Sequence, residues 1–260
     1  MTRRRFARLT GSLVAATLLF YCHDGRAQEL RDECAAPSSV ISLGAPLTHT
    51  GDRLLHGQSV KIVAIGSSST AGAGASDAAH AYPGQLAAAL ERRFPQGRIV
   101  VLNKGINGEE TPDMLVRFQR DVFDEHPDLV VWQTGSNEIL RKHDVERFHA
   151  AVLEGLVRLH AAGIETVLMD AQYAPRILEN PAYAAFNDEL RELASAANVA
   201  LLDRFEAMRY WLAKRQDGTS RVTSAIVGAD DVHMTDAGYR CVGRLLASLI
   251  VADMPALASR

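Results

Sequence analysis

The stretch Val63-Ala64-Ile65-Gly66-Ser67-Ser68-Ser69-Thr70-Ala71-Gly72 closes an apolar run on a glycine and then sets three hydroxyls side by side. Such a run can be a flexible linker, a phosphate cradle or a turn that offers one hydroxyl as a nucleophile. A phosphate cradle needs a lysine in the loop, and none occurs between Lys61 and Lys104. Gly72-Ala73-Gly74-Ala75-Ser76-Asp77 starts like a dinucleotide fingerprint but lacks the third glycine. A linker rarely begins flush with an apolar run of strand length. A nucleophilic serine is the reading that the rest of the chain can test.

A serine hydroxyl is a poor nucleophile at neutral pH, so it needs a general base and a group that orients the base. Near the other end, Gly228-Ala229-Asp230-Asp231-Val232-His233-Met234-Thr235 places an aspartate three residues before a histidine. In so short a turn the Asp230 carboxylate can accept the proton of one imidazole nitrogen, leaving the other to take a proton from serine. Such general-base assistance is typically worth about 10²–10⁴-fold. Asp231 is the competing partner, with a more awkward reach.

Elements must bring these distant groups together. Apolar runs of strand length recur at 59–65, 98–102, 128–133, 164–169 and 199–202, separated by amphipathic stretches of helix length. In 144–161 the residues Val145, Phe148, Val152, Leu156 and Leu159 recur every three or four positions, and Gly163 stops the helix. Segments 81–94, 111–125, 182–197 and 236–251 behave alike, with Asn180-Pro181 opening one and Thr235-Asp236 capping another. Alternating strands and helices predict a single three-layer α/β/α domain over 59–252 with a five-stranded parallel sheet. In such sheets the ligand crevice lies at the carboxyl ends of the strands. The polar residues there are Gly66 to Ser69, Asn103 to Gly108, Gly135-Ser136-Asn137-Glu138 and Asp170-Ala171-Gln172.

These blocks resemble the SGNH (GDSL-type) hydrolase family, whose order is Gly-Asp-Ser, a loop glycine, Gly-x-Asn-Asp and Asp-x-x-His. Here they read Gly66-Ser67-Ser68, Asn103 to Gly108, Gly135-Ser136-Asn137-Glu138 and Asp230 to His233. The resemblance implies a flavodoxin-like fold with Ser68 as nucleophile, His233 as base and Asp230 as its orienter. It also implies an oxyanion hole made by the backbone N–H of Ser68, the N–H of Gly108 and the side-chain amide of Asn137. Ser67 and Glu138 stand where the family has aspartate, so three adjacent hydroxyls remain and Ser69 stays an alternative nucleophile. The Gly-x-Ser-x-Gly elbow of α/β-hydrolases is not met, because Thr70 replaces its second glycine.

Composition limits the partners. A net charge of −3 and a pI near 6.3 provide no broad basic surface for nucleic acid. Nine histidines include no His-Glu-x-x-His, and no Cys-x-x-Cys occurs, so no metal or other cofactor is expected. Residues 1–27 read as an export signal: Arg3, Arg4 and Arg5, the apolar Leu13 to Phe20, then Gly25-Arg26-Ala27 as a cleavage site, with a twin-arginine-like start. The expected location is periplasmic or secreted, with no membrane span once the signal is removed. Residues 28–58 read as an irregular extension, and Cys34 can pair with Cys241 of the last helix in an oxidising compartment.

The pocket can draw on Glu109, Glu110, Gln172 and Tyr173, with Tyr82, Arg141 and Arg176 nearby. The resemblance implies a serine esterase that removes a small acyl group, acetyl first, from a carbohydrate or similar ester through an acyl-enzyme on Ser68. The alternatives are an O-acyltransferase using the same triad and a non-catalytic carbohydrate-binding module of the same fold.

Overall fold

The apolar runs become parallel strands, and a sixth strand joins from a stretch without strand pattern. The computed structural model describes residues 34–42, 44–216, 225–252 and 254, and the segment read as an export signal lies outside them. The strands are β1 (Ile41–Ser42), β2 (Val60–Gly66), β3 (Ile99–Gly105), β4 (Leu129–Gln133), β5 (Glu165–Met169) and β6 (Ala200–Leu202). They form one sheet in the order β1-β6-β5-β4-β2-β3, with all pairs parallel except β1 with β6. The expected five-stranded parallel sheet is therefore corrected to a mixed sheet of six. A two-residue edge strand is too short to show a period, and its pairing of Ile41 with Leu202 is set by the partner.

The helices are α1 (Thr48–Leu55), α2 (Ser68–Ala71), α3 (Tyr82–Arg93), α4 (Thr111–Val116), α5 (Phe118–Asp121), α6 (Ser136–Leu140), α7 (Val145–Ala161), α8 (Pro175–Leu178), α9 (Tyr183–Ala196), α10 (Arg204–Gln216) and α11 (Asp236–Ile250). One core packs α3, α10 and α11 on one face of the sheet through Leu86, Met208, Trp211 and Leu246. The other packs α4, α7 and α9 on the opposite face through Leu115, Phe148, Leu156, Phe186 and Leu190. All five residues of β4 are buried, as a strand covered on both faces requires.

Besides the short turns α2, α6 and α8, two longer helices fall where no pattern predicts them. The start of α1 lies on Leu47, which offers no cap; the Glu165 carboxylate of β5 instead accepts from the His49 N–H at 2.8 Å and the Thr50 N–H at 3.0 Å. In α10 charged and large apolar residues alternate without a clean stripe, while Asp203 accepts from the Glu206 N–H at 2.9 Å. Thr235 does occupy the N-cap of α11, but its hydroxyl donates to the Ala225 carbonyl and not to the helix. A Cys34–Cys241 disulfide ties the leading segment to α11 across 207 residues. Among the described residues no helix is long and apolar enough to cross a membrane.

Chain order makes β2 the pivot: β3 follows on one side of it and β4 on the other. The crevice between the loops leaving β2 and β4 is the switch point where open α/β sheets bind ligands.

Candidate active site

β2 ends at Gly66 because nothing larger fits. A Cβ there would lie 2.2 Å from Thr70 Oγ1 and 2.8 Å from Gln133 Oε1. Ser67 then caps a single helical turn in which the N–H groups of Thr70 and Ala71 donate to its carbonyl at 3.0 and 2.9 Å. Ser67 and Ser69 are buried at 2% and 1% exposure. Ser68 alone of the three is partly open. The Ser67 hydroxyl is used inward, donating to Gln133 Oε1 at 3.0 Å.

The groups that meet Ser68 arrive on the turn before α11. Val227 and Met234 bridge across it, the Gly228 N–H donates to the His233 carbonyl at 2.8 Å, and Asp231 takes the corner with a φ of 57°. That geometry leaves Asp230, and not Asp231, under the ring. Asp230 Oδ1 accepts from the backbone N–H of Val232 at 3.1 Å and of His233 at 2.9 Å, and Oδ2 lies 2.5 Å from His233 Nδ1. Burial pushes the Asp230 carboxyl upward, but these bonds from the His233 ring and backbone outweigh it and hold it at about 2. An ionised carboxylate only accepts, so Nδ1 carries the ring proton and Nε2 presents its lone pair. Nε2 is 2.8 Å from Ser68 Oγ.

The loop after Ser68 packs on this turn. Gly74, with a φ of +86°, has room for no side chain: a Cβ would sit 2.5 Å from the Met234 carbonyl oxygen. Tyr239 donates to the Ala73 carbonyl at 2.6 Å, and Asp236 accepts from the Ser76 N–H at 2.8 Å. The Gly-x-Gly that resembles part of a nucleotide motif thus serves to seat the histidine turn.

The loops on either side of β2 close on each other. At the end of β3 a Cβ on Gly105 would fall 2.0 Å from the Ala71 nitrogen, and the Ile106 N–H donates to the Gly66 carbonyl at 3.0 Å. Gly108 has a φ of +81°, and the nearest atom to a Cβ there is 3.6 Å away, so its glycine serves the backbone turn and not close packing. From the β4 side, one N–H of the Asn137 amide donates to the Glu109 carbonyl at 2.6 Å, which leaves its second hydrogen for a ligand. Arg141 donates to the Gly108 carbonyl at 2.8 Å and pairs with Glu110.

Below the rim lies a sealed polar layer. Gln133 Oε1 also accepts from the Ser67 N–H at 3.0 Å and the Thr70 hydroxyl at 3.2 Å. Its amide donates to Ser136 Oγ, and Ser136 donates to Gln172 Oε1 at 2.8 Å. Gln172 donates onward to the Val232 carbonyl of the histidine turn at 3.2 Å. Arg204, wholly buried, donates to the Asp170 carbonyl at 2.6 Å and to Gln172 Oε1 at 2.9 Å. Burial pushes the neighbouring Asp170 carboxyl well up, and the charge of Asp203 acts the same way. A second buried guanidinium, Arg117, pairs with Glu109 at 2.6 Å and Asp121 at 2.8 Å and donates to the Gly66 carbonyl at 3.2 Å.

This arrangement changes the expected pocket. Glu109 is paired to Arg117; Glu110 is paired to Arg141 and to His143 at 2.9 Å; Gln172 is 1% exposed and fully engaged below the histidine turn. Tyr82 is buried with its hydroxyl 2.9 Å from Thr70 Oγ1. Of the four expected pocket residues, Tyr173 lines an open groove, Glu109 stays partly exposed beside its ion pair, and Glu110 borders a small recess with His143 and Phe148. Gln133, Arg117 and Arg204 are further polar residues that shape the site. Gln133 is the one polar residue ending a buried strand, and the strand-end rule applied to the fifth apolar run points at Asp203-Arg204.

The model of the Non-GDSL lipase-like family matches residues 33–255. The chain belongs to this family. The family's description fits a chain whose block reads Gly66-Ser67-Ser68 and so lacks the Gly-Asp-Ser tripeptide. An acetylxylan esterase of Geobacillus stearothermophilus is 24% identical over 176 residues, covering 63% of this chain and 77% of the relative. The uncharacterized lipoprotein YqeF of Bacillus subtilis (strain 168) is 23% identical over 174 residues, covering 56% and 72%. Among solved structures, a two-domain esterase active on acetylated mannans, co-crystallized with mannopentaose, superposes with a TM-score of 0.65 at 22% identity, over 85% of this chain and 56% of that one. The chain thus spans little more than half of that two-domain protein. The acetylxylan esterase Axe2 of Geobacillus stearothermophilus superposes with a TM-score of 0.61 at 20% identity, over 74% and 94%.

Proposed function

We propose that the protein is a serine-type carboxylic ester hydrolase of the SGNH kind that removes a small acyl group, acetyl first, from a carbohydrate ester. The observation that carries this is the unbroken line from Ser68 Oγ to His233 Nε2 at 2.8 Å and from His233 Nδ1 to Asp230 Oδ2 at 2.5 Å. Ser68 Oγ attacks the ester carbonyl carbon as its proton passes to Nε2. The negative oxygen of the tetrahedral intermediate takes hydrogen bonds from the N–H groups of Ser68 and Gly108 and the free N–H of Asn137. The imidazolium, stabilised by Asp230, then protonates the departing sugar oxygen, leaving an acyl-enzyme on Ser68. Water attacks this ester with His233 again as base, releasing the acid and the serine. Relatives that act on acetylated xylan or mannan support the substrate class.

Residues 1–27 act as an export signal and 28–58 lead into the hydrolase domain at 59–252, so the enzyme works in the periplasm or outside the cell. The Cys34–Cys241 bridge supports an oxidising location.

The test is p-nitrophenyl acetate turnover by the mature domain beside Ser68→Ala and His233→Ala. The wild type should exceed both by about 10³-fold or more. Wild-type turnover no faster than the variants would remove the enzyme reading in favour of a glycan-binding module.

A further inference from the structure

An open groove lies away from Ser68, farther along the rim. It holds about 600 Å³ and is walled by Tyr173, Tyr183, Asn187, Asp188, Phe205 and Arg209. Tyr173 follows β5 and Phe205 follows β6, so its mouth is on the carboxyl rim of the sheet. These strands lie two and three places from β2, which at about 4.8 Å per strand sets the mouth some 10–14 Å along the rim from the serine. Its upper wall is the segment that shoulders the histidine turn: the Arg176 N–H donates to the Asp231 carbonyl at 3.1 Å, and Gln172 holds the Val232 carbonyl.

The lining defines what fits. Tyr183 stacks on Phe205 with centroids 5.1 Å apart and planes at 21°, and Tyr173 meets the same ring edge-on at 5.1 Å. Neither tyrosine hydroxyl bonds to another described residue. Asn187 is only 3% exposed, and no other described residue bonds its amide, whose atoms stay open to the groove. The charges, in contrast, are all matched: Arg191 pairs with Asp188 at 2.5 Å and Asp203 at 2.9 Å, and Arg209 pairs with Glu206 at 2.5 Å. An anion or cation finds no unmatched charge here. A neutral molecule with apolar C–H faces and a hydroxyl rim finds both aromatic surface and unpaired neutral hydrogen-bonding groups.

We propose that this groove binds the unmodified backbone of a neutral glycan chain, so that an acetyl group on a residue farther along the chain reaches Ser68. The inference rests on the carbohydrate-esterase reading above and adds where the polymer is held. The test compares p-nitrophenyl acetate with acetylated xylo- and manno-oligosaccharides of increasing length on the wild type, Tyr183→Ala and Asn187→Ala. The wild-type kcat/KM should rise with chain length. Each variant should lose about tenfold on the long chains, mainly through KM, with p-nitrophenyl acetate turnover within twofold of wild type. Long-chain turnover unchanged in both variants would overturn the groove and leave the esterase intact. Turnover of p-nitrophenyl acetate with no acetate released from any glycan would overturn the substrate class, and the groove with it. If Tyr183→Ala also loses the small ester, calorimetric titration of Ser68→Ala protein with unsubstituted xylohexaose and mannohexaose decides. Binding weakened by adding Tyr183→Phe supports the groove, and no binding to either, or binding unmoved by it, overturns it.

Discussion

The turn that carries Asp230 and His233 and the layer that carries Gln133, Ser136, Gln172 and Arg204 sit one above the other and differ in almost every physical respect. In the turn, the Asp230 side chain is 50% exposed and that of His233 is 21% exposed. In the layer, Gln133 and Arg204 are wholly buried, and every one of the four is held by at least two other groups. Groups that must meet substrate have to remain open to it, and open groups on a short turn have little packing to hold them. The sealed layer supplies that order from below: it grips the Ser67 peptide through Gln133 and the Val232 peptide through Gln172, the chain neighbours of the two reacting residues. On the proposed reading, the rim supplies reactivity and the layer beneath it supplies precision.

The largest effects should come from the rim. Ser68→Ala should cut kcat by about 10³–10⁴-fold while the thermal midpoint barely moves, because no other described group bonds the Ser68 hydroxyl besides His233. Asn137→Ala should follow, at about 10²–10³-fold in kcat. The layer should show the opposite balance. Arg204→Met leaves the Asp170 carbonyl without its donor and Gln172 Oε1 with only Ser136, and should cost about 3 kcal/mol in a denaturant titration with only a tenfold loss of kcat. Full kcat in folded Arg204→Met protein would break the comparison, since the layer would then stabilise without positioning. Smaller still for turnover, reduction of Cys34–Cys241 should lower stability by about 2–5 kcal/mol and leave kcat unchanged below the new midpoint, as the bridge sits along α11 and away from the rim.

The pH profile sharpens the same contrast. Asp230 is held at about 2, so its stabilising contribution is complete above the unfolded carboxylate value near 4 and is lost only as the pH falls through about 2. Between pH 4 and 8 the acid limb of kcat/KM should therefore follow a single proton, and a two-proton limb in that range would implicate another group.

Local patterns made the rim legible. Strand-length apolar runs located the crevice, and a serine after the first run with Asp-x-x-His before the last helix pointed to side chains that the structure brings within hydrogen-bond distance. Sequence favours Ser68 with Ser69 as the alternative; burial turns Ser67 and Ser69 inward and leaves Ser68 beside the ring. The layer was hidden for a different reason: Arg204 looks like any exposed helix-starting arginine until β6 buries it, and α1 is capped by Glu165 from a strand 115 residues away. Long-range partners leave no local period. Glu109, Glu110 and Gln172 looked available for substrate because sequence shows a polar side chain but not the partner that engages it.

The most direct test of the account is active-site phosphonylation. A fluorophosphonate probe, followed by peptide mass spectrometry with residue-level fragmentation, should place one adduct on Ser68 in the wild type, none in Ser68→Ala, and a much slower adduct in His233→Ala. An adduct on Ser67 or Ser69, or equal labelling without His233, would contradict it.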